Sequence, residues 1–426
     1  MSNHIRVLIA DDQAISREGI RRILEREHDI KVVGLVKTAP DVLPQVRDKN
    51  PDVVLLDLQW HRDDHAMYDV ITQLCREFPR TRVIVLTGHD HLIQRARAAG
   101  AQWALTKEVS KNDLVRFIRS VRTSLDKADP KIGILTALPK EYAAVKALLD
   151  NPKEYKSPGR GAGRRYLLGE IPAADGVGHS IVLSLADMGN NIAANRATLL
   201  LEHFPTVEFI IMVGIAGGIP RPDTPDEHVR LGDVVVSNQK GVVQYDFDKE
   251  TITETIHRHP PRPPSATLLE GVRWLQVAEM EGNRPWLKFI DRVADQLGIT
   301  RLPEESDVLV DSTNAELIIF HPKDPKRVNG QPRIFVGSIA SANKLLKNPV
   351  KRDELGRRFG AKAVEMEGSG IADATWNHEA SYLIVRGICD YCDSNKGDDW
   401  QGYAASIAAA YTRALLESIP GQSQKE

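Results

Sequence analysis

Val53-Val54-Leu55-Leu56-Asp57 is a run of four apolar residues, two of them β-branched, that closes on an acid. So short and bounded an apolar run reads as a strand buried on both faces. Working outward, Val7-Leu8-Ile9 and Val83-Ile84-Val85-Leu86 repeat the pattern. Between these runs lie amphipathic stretches such as Ile15 to Arg26, with Ile20, Ile23 and Leu24 on one face, and Lys111 to Leu125. The alternation predicts βα units around a parallel sheet. Asp126-Lys127-Ala128-Asp129-Pro130 then breaks the last helix and marks a boundary.

A second α/β pattern opens at Lys131-Ile132-Gly133-Ile134-Leu135 and continues through strand-like runs at Ile181 to Leu185, Phe209 to Val213, Val234 to Ser237 and Tyr382 to Val385. The expected organisation is a domain over residues 1–125, a linker at 126–130 and a larger domain at 131–420. The larger domain carries an insertion at about 250–305, with a stiff Pro-rich spacer followed by helices at Ala266 to Met280 and Trp286 to Leu297. The 426 residues are 42% hydrophobic, enough for two or three domains with full cores. Lys and Arg number 56 against 58 Asp and Glu, a balance that argues against a nucleic-acid-binding surface. No recognition-helix segment follows residue 130. Three cysteines cannot build a disulfide framework, and the N-terminus shows no signal-peptide apolar region. No apolar stretch approaches the roughly 20 residues that a membrane helix needs. A cytoplasmic chain with neither a nucleic-acid nor a membrane partner is the expectation.

In an open parallel sheet, functional residues collect at the carboxyl ends of the strands. Those ends carry Asp11-Asp12, Asp57, Thr87 and Lys107. Three converging carboxylates suit Mg²⁺, with Asp11, Asp12 and Asp57 as its ligands. Asp57 would act as a nucleophile that takes a phosphoryl group, and Thr87 and Lys107 would bind the new phosphoryl oxygens. The set resembles the receiver domain of two-component response regulators. It is carried by Ile-Ala-Asp-Asp-Gln at 9–13, Val-Leu-Leu-Asp-Leu at 54–58, Val-Leu-Thr-Gly at 85–88, and Ala-Gly-Ala with Leu-Thr-Lys at 99–107. The resemblance implies a doubly wound, five-stranded parallel sheet of flavodoxin-like order and a sensor histidine kinase as phosphodonor. One position departs from it: Ala104 stands where many receivers carry an aromatic switch residue.

The larger domain is marked by Gly-rich turns and isolated acids. Gly-Ile-Ala-Gly-Gly at 214–218, Leu-Gly-Asp-Val-Val-Val-Ser at 231–237, Val-Glu-Met-Glu at 364–367 and Arg-Gly-Ile-Cys-Asp at 386–390 follow in order after Lys-Ile-Gly-Ile at 131–134 and Glu141. Together they resemble the purine nucleoside phosphorylase and nucleosidase superfamily, most of all its hydrolytic branch. The resemblance implies an α/β domain with a central mixed sheet, no cofactor, and a homo-oligomer. By the same resemblance Asp390 is the general acid at purine N7, Glu141 orients and deprotonates the attacking water, and Glu367 binds the ribose hydroxyls beneath the developing cation. Glu365 and Met366 would line the pocket, and Gly214, Ala216, Gly217 and Gly218 would pass beneath the ribosyl group. The segment at 337–343, with Ser341 and Asn343, would help bind the base through backbone groups. Some nucleosidases carry a small hydroxyl residue where this chain has Ile215.

Leu138-Pro139-Lys140-Glu141 places a carboxylate where a phosphorylase would cradle phosphate, so hydrolysis is favoured over phosphorolysis. Lys140, the Gly159 to Arg165 run, Lys344, Lys347 and Arg357-Arg358 permit a 5′-phosphate or polyphosphate on the substrate. A receiver joined to a nucleosidase resembles the effectors of bacterial defensive two-component systems against phage. That implies phosphorylation-activated cleavage of adenine nucleotides, ATP foremost. The alternatives are a methylthioadenosine/adenosylhomocysteine or AMP nucleosidase, a nucleoside phosphorylase, and a nucleotide sensor without turnover. Cys389 and Cys392 form a Cys-x-x-Cys spacing that in another setting would suggest redox or zinc chemistry.

Overall fold

The computed structural model describes all residues except 1–3, 59–63, 79–80, 89–91, 94, 97–98, 100, 102, 108, 126–129, 157–164, 176–177, 259, 261, 395–396 and 422–426. Most of the linker and most of the basic run at 159–165 therefore lie outside the described residues. The chain forms two compact units, Met1–Asp129 and Pro130–Tyr155 with Arg165–Glu426.

In the first unit, β1 (Ile5–Ala10), β2 (Ile30–Val36), β3 (Val53–Asp57), β4 (Arg82–Thr87) and β5 (Trp103–Thr106) make one sheet in the order β2-β1-β3-β4-β5. Every pairing in it is parallel. The helices α1 (Ala14–Leu24), α2 (Val42–Lys49), α3 (Asp64–Glu77) and α4 (Lys111–Leu125) connect and follow the strands. Period-two alternation divides each strand between two apolar clusters. Leu8, Val54, Leu56, Val83 and Val85 join one cluster, while Val7, Ile9, Val53, Leu55 and Ile84 join the other. Both faces are thus covered, which is why the strands are apolar throughout.

The second unit is built on nine strands. They are β6 (Ile132–Thr136), β7 (Asp150–Lys156), β8 (Arg165–Ile171), β9 (His179–Leu185), β10 (Phe209–Gly218), β11 (Val234–Gln244), β16 (Ile334–Ser341), β17 (Ala361–Glu365) and β18 (Ser381–Asp390). Their order is β17-β16-β11-β18-β10-β6-β9-β8-β7. Between β11 and β16 lie two small hairpins, β12 (Asp248–Glu250) with β13 (Thr255–His257) and β14 (Leu309–Val310) with β15 (Ile318–Ile319). The sheet is mixed: β10 runs parallel to β6 and β18, whereas β11 is antiparallel to β18. The far end of β10 also pairs antiparallel with β17, Gly217 opposite Val364 and Gly218 opposite Ala363. Strands β10, β18, β11, β16 and β17 therefore close into a ring.

The helices of this unit are α5 (Pro139–Ala147), α6 (Asn190–His203), α7 (Ala266–Met280), α8 (Leu287–Leu297), α9 (Pro349–Phe359), α10 (Gly368–Asn377) and α11 (Gln401–Ser418). α11 is buried from Tyr403 to Leu416 and is rich in alanine because it lies almost on the sheet. A Cβ at Gly387 of β18 would come within 1.9 Å of the Ala404 carbonyl oxygen, so only glycine admits that approach. The stretch read as an insertion supplies Leu268, Val272, Leu275, Trp286, Phe289 and Val293 to the main core, and α7 and α8 pack on α11.

Candidate active site

In the first unit the strand ends deliver the expected groups. Asp11 follows β1, Asp57 ends β3, Thr87 ends β4 and Lys107 follows β5. Ligand oxygens of Asp11, Asp12 and Asp57 all lie within 4.8 Å of one another, a hard-oxygen donor set that fits Mg²⁺. Lys107 Nζ donates to Asp57 Oδ2 at 2.6 Å and to Asp11 Oδ2 at 3.4 Å. Partial burial pulls the Lys107 ammonium down, but the hydrogen bond and charge of Asp57, with Asp11 behind it, win and hold it above its ordinary value. Asp11 is itself fixed by the Gln13 amide N–H and the Ser16 hydroxyl.

In the second unit, the ends of β6, β10, β17 and β18 surround a cavity of about 340 Å³. Glu141 stands in the first turn of α5. Its Oε2 accepts the N–H groups of Ala137 and Leu138, both at 2.8 Å, as a helix-capping glutamate does. Its Oε1 reaches across to accept the Ile215 N–H of β10 at 2.9 Å. Burial pushes this carboxyl above its ordinary value, against the pull of Arg386 and the three N–H donors.

Arg386, on β18, is fully buried. Its Nη2 donates to Glu367 Oε2 at 3.0 Å and to Glu365 Oε2. Glu365 also accepts the N–H groups of Glu367 at 3.0 Å and Gly368 at 2.8 Å, so it caps α10 while facing the guanidinium. Glu367 Oε1 accepts the Gly189 N–H at 3.1 Å. Burial raises the Glu367 pKa to about 7; the charges of Glu365 and Glu141 add to the rise and Arg386 opposes it. Because that folded value lies above the unfolded one, the associated stability is complete below about pH 4.5 and is lost as pH rises through about 7. Glu367→Gln removes this titration. We expect the variant to gain roughly 3 kcal/mol on the parent between pH 4.5 and 8, read from unfolding midpoints of the second unit.

Asp390 ends β18 and is buried. Its Oδ1 accepts the Cys392 N–H at 2.8 Å and its Oδ2 accepts the Cys389 thiol at 3.1 Å. The Cys-x-x-Cys pair thus frames this carboxylate; neither cysteine is in a disulfide, and among the described residues the aspartate trio of the first unit is the one metal-type cluster.

Glu141, Glu365, Met366, Glu367, Asp390 and the Ala216-Gly217 backbone line this one cavity. Gly214, Gly218, Ser341 and Asn343 are not brought into its wall. A Cβ at Gly214 would sit 2.3 Å from Arg386 Nη1 and 2.6 Å from Glu141 Oε1, so this glycine makes room for the charged groups behind the wall. Gly218 is packed against Ile388. Ser341 donates to Asn190 Oδ1 at 3.0 Å, and Asn343 Oδ1 accepts the Asn190 N–H at 2.8 Å, so both secure the start of α6. The chain enters the wall just after them, at Lys344 to Lys347. Sequence reasoning quoted Arg386 but gave it no role. An arginine inside an otherwise apolar strand was the available signal, since burial requires a partner for such a charge.

The phosphorylase superfamily model matches residues 131–419. The chain belongs to the phosphorylase superfamily. Residues 7–119 match the response regulator receiver domain, so a receiver precedes the superfamily domain. A 5′-methylthioadenosine/S-adenosylhomocysteine nucleosidase of Mycobacterium tuberculosis is 27% identical over 68% of this chain and 96% of its own length. The ATP nucleosidase Cap17 of Escherichia coli is 29% identical over 68% of this chain and 51% of its own. A nucleotide-binding leucine-rich repeat-like protein of Hyaloscypha variabilis is 31% identical over 71% of this chain, which spans 31% of that protein. Among solved structures, an S-adenosylhomocysteine nucleosidase from Streptococcus pyogenes covers 69% of this chain and 99% of its own, at 22% identity and a TM-score of 0.48. The superfamily domain and its relatives support a purine nucleosidase, a hydrolase of N-glycosyl bonds. Among the described residues no helix is long and apolar enough to cross a membrane.

Proposed function

We propose that the protein hydrolyses the N-glycosidic bond of adenine nucleotides, ATP foremost, to free adenine and ribose 5′-triphosphate, and that phosphorylation of Asp57 by a histidine kinase activates it. The observation that carries the reading is the convergence of Asp390, Glu141 and Glu367 on one cavity. Asp390 donates a proton to purine N7, which makes the base a competent leaving group as the C1′–N9 bond breaks. Glu367 accepts hydrogen bonds from the ribose hydroxyls and sets negative charge beneath the oxocarbenium-like ribose. Water adds to C1′ and gives its proton to Glu141, whose three N–H contacts hold the carboxylate in place. Arg386 keeps Glu365 and Glu367 together without touching the cavity.

In the receiver, Asp11, Asp12 and Asp57 would hold Mg²⁺, which when bound supplies positive charge to the incoming phosphoryl oxygens. Asp57 is the phosphoacceptor, and its present partner Lys107 is placed to follow the new charge. A switched enzyme that destroys nucleotides fits the effector of a two-component anti-phage system, and the likeness to an ATP nucleosidase supports the choice of substrate. We assign it a homo-oligomeric state, the habit of the superfamily it resembles.

The test is chromatography of the protein incubated with ATP, AMP, adenosine and methylthioadenosine, with and without a small-molecule phosphodonor and Mg²⁺. Adenine release from ATP should rise at least tenfold with the phosphodonor, and Asp57→Asn should not respond to it. Equal cleavage of methylthioadenosine in both states would refute the proposal and mark a salvage-type enzyme.

A further inference from the structure

We propose that Lys140, held by Gln401 at the cavity wall, receives the 5′-phosphates of the substrate and so sets the preference for a nucleotide over a nucleoside; this rests on the nucleosidase reading above. Glu141, Glu365, Glu367 and Asp390 make the interior of the cavity acidic. That suits a ribose that becomes cationic, but it repels a polyanion. A nucleotide is accepted only if its phosphates point from the interior toward fixed positive charge.

Lys140 provides it. It is the second residue of α5, adjacent to Glu141, and its side chain is half-buried. Its Nζ donates to Gln401 Oε1 at 2.6 Å, and Gln401 is both the first residue of α11 and part of the cavity wall. Asp398, itself part of the cavity wall, accepts the amide N–H of Gln401, whose oxygen faces the lysine. Among the described residues Lys140 has no ion-pair partner, and its ammonium is held by a neutral amide. A phosphate oxygen would complete it with a charge-assisted bond, and the positive end of the 18-residue α11 lies at the same place.

Lys344 and Lys347 line the cavity themselves, from the segment after β16, whereas Lys140 reaches its wall through Gln401. Both are exposed, and neither is held by a hydrogen bond among the described residues. Selection by charge favours the cation whose geometry is already fixed, because less side-chain entropy is lost on binding.

The experiment compares kcat/KM for ATP, AMP and adenosine in the parent, Lys140→Ala, Lys140→Arg and the double variant Lys344→Ala/Lys347→Ala. In Lys140→Ala the ATP-to-adenosine ratio should fall about tenfold or more, the scale of one charge-assisted bond. The AMP ratio should fall less, Lys140→Arg should restore most of the loss, and added salt should erode the ratio more in the parent than in Lys140→Ala. An unchanged ratio in Lys140→Ala, or a fall confined to the double variant, overturns the proposal. So does a parent that cleaves adenosine but not ATP, an outcome that leaves the nucleosidase reading intact. If the parent releases adenine from none of the three, that reading fails by itself. Calorimetry of ATP and adenosine binding to Asp390→Asn, with and without Lys140→Ala, then decides: ATP binding weakened relative to adenosine supports the lysine, and equal binding overturns it.

Discussion

Asp390→Asn should reduce adenine release by a factor of about 10³ or more while the protein folds and binds substrate as before. Loss of a positioned general acid costs about 10²–10⁴ in rate, and the poor leaving group in this reaction places the effect at the upper end. The substitution is nearly isosteric. The carbonyl of the introduced amide can still accept the Cys392 N–H that now holds Oδ1, so the cavity should keep its shape. Rates measured by chromatography and unfolding midpoints measured beside them form the check. A loss of rate that tracks a loss of stability would show that Asp390 acts structurally, and an undiminished rate would remove it from the chemistry.

Arg386→Leu should have the largest effect on stability. Its guanidinium is fully buried between Glu365 and Glu367, with Glu141 as a further charge neighbour, and these attractions outweigh the burial that would lower its pKa. Removing it leaves carboxylates facing one another without a counter-charge. Breaking a buried pair in this way costs about 3–5 kcal/mol. Without the Arg386 charge that opposes the rise, the Glu367 pKa would climb further, so Glu367 would be neutral at pH 7 and the ribose cation would lose its support. We expect a lowered unfolding midpoint for the second unit together with a loss of activity of at least two orders of magnitude. Arg386→Lys, which keeps the charge but not the fork, should recover much of the stability and little of the rate. Wild-type stability in Arg386→Leu would show that the cluster tolerates its own repulsion.

The receiver was legible from sequence almost in full, because a parallel sheet buried on both faces writes continuous apolar runs and ends them on functional residues. Val53 to Asp57 and Arg82 to Thr87 are strands in the structure, each closing on the group expected of it. The helices at Lys111 to Leu125 and Ala266 to Met280 also stand where periodicity put them. In the second unit the acids were legible as residues but their neighbours were not. Nothing local to Gly214 says that Arg386 and Glu141 will fill the space of its missing side chain, since those residues meet only when β10, β18 and α5 pack. Ser341 and Asn343 show the same limit: their side chains serve the first turn of α6, which leaves their backbone groups for the base. Closure of β10 onto β17 has no signature in either strand, because it is a property of the ring and not of a segment.

That ring has a bearing on how the chain is made. Glu141 comes early in the second unit and Asp390 near its end, and α11, which covers the sheet, is later still. A ribosome must therefore finish nearly all of the second unit before the groups proposed for bond cleavage can meet. A product that stops between Glu367 and β18 carries Glu141 and Glu367 but lacks Asp390, the acid proposed for the base.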